Sequence, residues 1–248
     1  MNIKHLHEID STNRYLHDLQ DSLPDGITAV RADFQTAGRG CGSNTWESEA
    51  GQNLLFSILL KPVEVAPAKQ FLLSMVEALA VKKALDSLVD GICLKWPNDI
   101  YWHDKKLGGT LIETTLGQKE IKTCIFGTGL NVNQIAFQSD APNPVSLRQI
   151  LGHAVDVESL FLRVLQCFED CYGRLLSDGE TETINAYHAA LYRAQGMHDF
   201  SDAEGRFRAK IEHVEPDGRI VLCDENGRLR TYAFKELRFE MDENQQEK

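Results

Sequence analysis

No stretch of the sequence is apolar over the roughly 18 to 20 residues that a membrane-crossing helix needs. The opening Met1-Asn-Ile-Lys-His-Leu-His-Glu8 lacks the apolar segment after a basic start that marks an export signal. Positive charge is scarce as well: 26 lysines and arginines stand against 37 acidic residues, for a formal net charge of −11. Such a surface opposes sequence-independent binding to a nucleic-acid backbone, which depends on cations that replace released counterions. The expectation is no membrane span, no DNA partner and a cytoplasmic location. A site for an anionic ligand must then be a local basic island against an acidic background.

Cysteine is thin and scattered. Cys41, Cys93, Cys124, Cys167, Cys171 and Cys223 form no secreted-type framework. Cys167 and Cys171, four apart on a predicted helix, have no second Cys or His pair at zinc spacing, so free core thiols are expected. Repeats and low-complexity tracts are also missing. What remains is 42% hydrophobic and 25% charged over 248 residues, enough for one main domain with a small appendage.

Residues 3–9 alternate as a strand does, and Asp10-Ser-Thr-Asn13 supplies capping residues before a helical stretch through Leu16 and Leu19, which predicts a strand-to-helix corner. A strand at 27–34 leads into residues 35–53, polar and glycine-rich. A loop of that length within a compact domain tends to carry binding function. After an apolar strand at 54–60, residues 67–89 place Phe71, Leu72, Met75, Leu79, Leu85 and Leu88 at helical spacing behind Pro67, predicting a helix with one buried face. Between 92 and 130, short strands break at Pro97-Asn-Asp99, His103-Asp-Lys105 and Gly117-Gln-Lys119, as in a mixed or antiparallel sheet. Asp156 caps a helix whose stripe runs from Val157 through Phe161, Phe168 and Tyr172 to Leu175. Beyond Gly196, Asp217-Gly218 and Asn226-Gly227 are hairpin turns, predicting a small all-β module, and the polar tail from Asp242 to Lys248 is expected to fray.

Three segments could carry chemistry. Gln35-Thr-Ala-Gly-Arg-Gly-Cys-Gly42 lets the backbone approach a ligand closely while Arg39 offers a cationic fork for phosphate or carboxylate, although glycine content alone suits a plain surface loop equally well. Asn98 and Asp99 offer the hard oxygens magnesium takes, with Lys106 a hairpin's length away, yet Pro97-Asn-Asp99 is also an ordinary turn. Gly127 and Gly129 end an apolar strand, marking either a bulge or turn or a close approach by another backbone or a ligand.

Taken together, Ser11-Thr-Asn13, Gly38-Arg-Gly40 followed by Trp46, Lys95-Trp-Pro-Asn-Asp99, Lys105-Lys-Leu-Gly-Gly109 and Gly127-Thr-Gly-Leu-Asn131 resemble, in order and spacing, the signature segments of the biotin–protein ligases. The resemblance runs from about residue 3 to 239, and Lys-Trp-Pro-Asn-Asp with Lys-Leu-Gly-Gly is its most specific part. It implies an α+β fold: a mixed β-sheet with helices, related to class II aminoacyl-tRNA synthetases, at 1–193, a small SH3-like β-barrel at 194–243, and a frayed tail at 244–248. It implies an ATP-dependent enzyme that makes biotinyl-5'-AMP and passes biotin to a lysine of the biotin carboxyl carrier protein of an acyl-CoA carboxylase. Regulatory members carry a DNA-binding helix-turn-helix before Ser-Thr-Asn. Only residues 1–10 precede Ser11 here, so a short form without that domain is expected.

By the same resemblance, Ser11, Thr12, Asn13 and Gln35 hydrogen-bond the ureido ring. Gly38, Gly40 and Cys41 border the biotin site, and Gly109, Gly127 and Gly129 leave room for the ring and tail. Arg39 and Lys106 hold the biotin carboxylate and the α-phosphate, Asp99 with Asn98 nearby places Mg2+, and Trp46 and Asn131 contact the nucleotide. Two rivals share parts of this pattern. Lipoate or octanoate ligases usually carry Arg-Arg before a glycine-rich segment, and a non-catalytic biotin-binding protein needs no metal position. One departure stands out. Many relatives have a basic residue directly after Gly-Arg-Gly, where this chain has Cys41, Gly42 and Ser43, so retention of the adenylate is expected to rest on loop ordering more than on charge. Arg39 would favour a Cys41 thiolate, but no local base accompanies it and acyl-adenylate chemistry needs no enzyme nucleophile.

Overall fold

The computed structural model describes residues 1–42, 44–138, 143–177 and 179–240. Ser43 of the glycine-rich loop, the end of the expected C-terminal unit and the expected frayed tail lie outside the described residues.

The predicted strand-to-helix corner is β1 (Asn2–Ile9) followed by α1 (Thr12–Leu19), and β2 (Gly26–Gln35) returns parallel to β1. The long loop then leads to β3 (Leu54–Lys61), α2 (Phe71–Leu85), β4 (Ile92–Lys95), β5 (Asp99–Trp102), β6 (Lys105–Leu116) and β7 (Ile121–Leu130). The seven strands form one mixed sheet in the order β1-β2-β3-β7-β6-β5-β4, with every neighbour after the first pair antiparallel. Helices α3 (Leu147–Leu151), α4 (Val157–Ser177) and α5 (Glu180–Ala190) follow, then β8 (His198–Asp202), β9 (Gly205–Val214), β10 (Ile220–Asp224), β11 (Leu229–Tyr232) and β12 (Arg238–Phe239). The two expected Gly turns join β9 to β10 and β10 to β11, with Gly218 and Gly227 at φ +96° and +76°. The C-terminal unit is a five-stranded antiparallel sheet in the order β11-β10-β9-β8-β12. The α+β class read from the sequence is the class of the structure.

β3 is buried along nearly its whole length because it is central and covered on both faces. On one face α1 closes a small cluster of Leu16, Val30, Leu59 and Ile125. On the other, Phe56 and Phe126 meet Phe161 and Phe168 of α4, with ring centroids 5.5 and 5.2 Å apart. The helix expected to bury one face differs. α2 stops at Leu85, leaving Leu88 exposed, and it is buried nearly all round because the sheet, α4 and α5 all pack on it. All six cysteines are free thiols, as expected. No helix among the described residues is long and apolar enough to cross a membrane.

The second sheet is fastened to the first near its functional edge. Trp96 Nε1, just after β4, donates to Gly218 O at 2.9 Å, and Phe71 N at the start of α2 donates to Pro216 O at 3.1 Å. Phe200, Ile220 and Leu222 of the second sheet belong to the same core cluster as Trp96 and Phe126.

Candidate active site

Residues alternate between the two faces of a strand, so Gly127 and Gly129 of β7 turn toward α1 and the glycine-rich loop while Thr128 turns toward α2. Over the first face lies a cavity of about 640 Å³. Its wall contains Ser11, Thr12, Asn13, Gln35, Arg39, Gly40, Cys41, Trp46, Asn98, Asp99, Lys106, Gly109, Gly127, Gly129 and Asn131, which brings together segments from across the first half of the chain. Gly38 is the one proposed site residue outside that wall. It serves the loop: Trp46 N donates to Gly38 O, Gly40 N donates to Asn44 O, and a β-carbon on Gly38 would lie 2.7 Å from Trp46 O. The loop around Arg39 and Thr45 is therefore folded back on itself as a narrow ladder.

The polar end of the cavity is built before any ligand arrives. Ser11, Thr12 and Asn13 are almost wholly buried. Thr12 donates through N and Oγ1 to Gln35 Oε1 at 2.8 and 3.0 Å, which leaves Gln35 Nε2 as its donor for a ligand. Ser57 Oγ on β3 lies 2.7 Å from Thr12 Oγ1 and 2.6 Å from Asn13 Oδ1, while Asn13 Nδ2 donates to Glu113 Oε2 at 2.7 Å. Side chains held by packing and each other's hydrogen bonds keep their geometry when a ligand binds.

The glycines seat protein groups. A β-carbon on Gly127 would overlap the Asn13 amide, one on Gly129 the Trp46 indole, and one on Gly109 would lie 3.0 Å from Asp99 Oδ1. In this structure they make room for the side chains of the wall and themselves line the cavity, where the resemblance implies room for the ring and tail of biotin. Trp46 lies across Gly129 with its Nε1 buried and without a partner among the described residues, a donor available to a ligand.

Each cation of the wall faces a carboxylate. Arg39 Nη2 lies 2.9 Å from Glu113 Oε2, and Lys106 Nζ lies 2.7 Å from Asp99 Oδ1. Asn98 Nδ2 donates to Thr110 O at 2.7 Å and to Cys41 Sγ at 2.9 Å, bracing the turn before β5. Burial, ahead of any charge, pushes the Cys41 thiol up, so the thiolate that Arg39 could have favoured is disfavoured. Asn131 is buried and donates to Val145 O at 3.2 Å. The far end of the loop is tied to the segment after β7: Glu47 accepts from Gln138 N at 3.1 Å, and Gln138 and Phe137 also line the cavity.

Two acids escaped the sequence reading. Glu113 shares β6 with Gly109 and Leu111 at two-residue spacing, which puts it on the cavity face. Glu77 is a lone acid in the apolar run of α2, buried beneath the sheet, where Thr128 Oγ1 donates to its Oε1 at 2.6 Å and Thr110 Oγ1 lies 3.0 Å from Thr128 Oγ1. Burial raises Glu77 to about 7.

A magnesium site can be tested on the donor set. Among the described residues, the group of three ligand-type side chains is His5, His7 and Asp33 on β1 and β2, none of which lines the cavity. The carboxylates of the wall are Asp99, already engaged with Lys106, and Glu47, which accepts from Gln138 N and Gln134 Nε2, so a resident all-protein cage is not built. A magnesium ion that travels on nucleotide phosphates needs only one or two carboxylates, and Asp99 fits that role.

The profile of the biotin/lipoate A/B protein ligase family matches residues 6–131, the stretch that holds nearly the whole wall. The chain belongs to that family. Among relatives, it is 30% identical to the bifunctional ligase/repressor BirA of Bacillus subtilis over 233 residues, covering 91% of this chain and 70% of BirA. It is 30% identical over 227 residues to the biotin–[acetyl-CoA-carboxylase] ligase of Paracoccus denitrificans, covering 88% of this chain and 93% of that ligase. The biotin protein ligase of Aquifex aeolicus, solved with biotin and ATP, superimposes with a TM-score of 0.79 at 28% identity, over 96% of this chain and 99% of that one.

Proposed function

We propose that this protein is a biotin–protein ligase that forms biotinyl-5'-AMP from biotin and ATP and transfers biotin to a lysine of a biotin carboxyl carrier protein. The observation that carries this reading is the convergence of Arg39, Lys106 and Asp99 on one cavity whose other end is the buried polar set Thr12, Asn13 and Gln35. Ligase names among the relatives, and biotin and ATP in the Aquifex structure, support it.

A buried urea has donors and acceptors to satisfy, and Gln35 Nε2 with Ser11 and Asn13 supplies complements that reject ligands leaving them unpaired. In the first half-reaction an oxygen of the biotin carboxylate attacks the α-phosphorus and pyrophosphate leaves. Two anions must approach, so positive charge at that point is the main demand. Arg39 and Lys106 meet it by exchanging Glu113 and Asp99 for substrate oxygens. Asp99 thus freed, with Asn98 beside it, is placed to hold Mg2+, which would neutralise the departing phosphates. In the second half-reaction the neutral amine of the acceptor lysine attacks the acyl carbon, AMP leaves and the amine loses a proton. Trp46 and Asn131 border the nucleotide, and the loop ladder over the cavity limits hydrolysis by excluding water. Arg39, Asp99 and Lys106 all fall within the catalytic domain at 1–193, and the small appended unit is assigned to 194–243.

The test is incubation with biotin, Mg2+, ATP and a biotin-carrier domain, read as the mass of one biotinyl group added to the carrier lysine. Lys106→Met should lower biotin-dependent pyrophosphate exchange by about 100-fold or more. Exchange that runs with lipoate and not with biotin would transfer the assignment to the lipoate branch, and biotin binding without AMP formation would make the protein a binder.

A further inference from the structure

Arg39 and Lys106 are each matched by a carboxylate, yet a third cation reaches the glycine-rich loop at the cavity's rim from the other end of the chain. Lys235 lies in the connection between β11 and β12, directly after Phe234, which lines the cavity. Its ammonium rests against Gly42 of the glycine-rich loop: a β-carbon on Gly42 would lie 2.8 Å from Lys235 Nζ and 3.5 Å from its Cε. Its ammonium also lies 5.7 Å from the centre of the Phe234 ring, and among the described residues no carboxylate pairs with it. The Lys235 backbone sits at φ +74°, in the left-handed region that glycine occupies without cost and other residues occupy at about 1 kcal/mol. An exposed lysine in a strained backbone position, with an unpaired ammonium fitted over a glycine, has no evident reason in folding. Strain of this kind points toward function.

The position selects the ligand. Gly42 follows Cys41, whose sulfur is held by Asn98, and Asn98 precedes Asp99. Asp99, Lys106 and Lys235 all lie near enough to Cys41 for their charges to act on its thiol. Lys235 itself lines a groove on the second sheet beside Arg230, Glu236 and Arg238, and it meets the cavity at its rim, through Gly42 next to the wall residue Cys41 and through its neighbour Phe234. Relatives with a basic residue after Gly-Arg-Gly carry a cation within the loop itself, and this loop has Cys41 and Gly42 there.

We propose that Lys235 is a nucleotide-binding residue whose ammonium takes phosphate oxygens of ATP and of the acyl-adenylate, supplying from the C-terminal sheet the charge that the glycine-rich loop lacks. This rests on the reading of the protein as an ATP-dependent ligase. It also replaces the expectation drawn from Cys41: the intermediate is retained by a cation as well as by loop order.

The test compares the wild type with Lys235→Gly and Lys235→Arg in biotin-dependent ATP–pyrophosphate exchange, with separate KM values for ATP and biotin, in transfer to a biotin-carrier domain, with the KM for the carrier, and in release of free biotinyl-adenylate without acceptor. Lys235→Gly should raise the KM for ATP about ten-fold, the size of one charged contact. It should also speed adenylate release, leave the KM for biotin unchanged, and keep or raise the thermal midpoint, since glycine relieves the left-handed strain. Lys235→Arg should stay within about three-fold of wild type, because it keeps the charge. A wild-type KM for ATP in Lys235→Gly, an arginine variant as impaired as the glycine variant, or an effect confined to the KM for the carrier protein would each overturn the proposal. A wild type that shows no biotin-dependent exchange at all would instead overturn the functional reading beneath it.

Discussion

Glu113 holds Arg39 and Asn13 at once: one carboxylate oxygen lies 2.9 Å from the guanidinium and accepts from the Asn13 amide at 2.7 Å. The group that neutralises the cation therefore also orients the amide expected to meet the ligand, so the two ends of the cavity are joined through one side chain. Arg39 cannot turn to an incoming carboxylate without leaving Glu113.

Glu113→Gln should loosen that hold while keeping an oxygen for Asn13. The ion pair is more than a third exposed on both partners, so its loss should cost stability less than about 1 kcal/mol after solvent screening. Biotin affinity measured by calorimetry should rise a few-fold. A large fall would mean that the carboxylate assists binding and does not compete with it.

Glu77 sets a pH dependence. Burial lifts its carboxyl from 4.5 to about 7, so the folded chain holds that proton more tightly than the unfolded chain does. Its contribution to stability is complete below 4.5, falls as pH rises through the window from 4.5 to about 7, and is gone above it. The span corresponds to about 3 kcal/mol at roughly 1.36 kcal/mol per pH unit. Urea unfolding at pH 5.5 and 8.5 should show wild type losing stability relative to Glu77→Gln at the higher pH. Parallel profiles for the two proteins would remove Glu77 as the cause.

Gly127→Ala should be costly out of proportion to one methyl group. The new carbon would overlap the Asn13 amide, which is held between Ser57 and Glu113 and cannot swing away without breaking both hydrogen bonds. The expected result is a loss of about 1 to 3 kcal/mol of stability, as for other overpacked sites, with biotin affinity down at least ten-fold. Unchanged biotin affinity would show that Asn13 has no part in the biotin pocket.

Much of this was legible in the sequence because the signals are local. Alternation marked β1 and β2, Asp217-Gly218 and Asn226-Gly227 marked the hairpins of the second sheet, and the segments around Arg39, Asp99 and Lys106 are contiguous words. Residues that act across long separations were hidden. Glu113 lies 74 positions from Arg39, and only the face of β6 it shares with Gly109 could have flagged it. Glu77 looked like a polar interruption in an apolar helix, because the reading gave α2 one buried face and did not foresee α4 and α5 covering the rest. The glycines of β7 left a bulge open against a close approach, and what approaches them here is the protein's own Asn13 and Trp46. Lys235 carries no local signal at all, since its left-handed backbone and its neighbour Gly42 emerge only when the two sheets meet.

The hydrogen bond from Trp96 to Gly218 spans 122 positions and anchors the residue just ahead of the turn that presents Asn98 and Asp99. That turn is a cantilever, bolted at its root to a hairpin made long after the cavity's other walls. A fragment ending at residue 193 would accordingly not be a smaller ligase. It would lose the bolt and leave Trp96 with a bared indole, and during synthesis the pocket could not reach its working shape until nearly the whole chain had emerged.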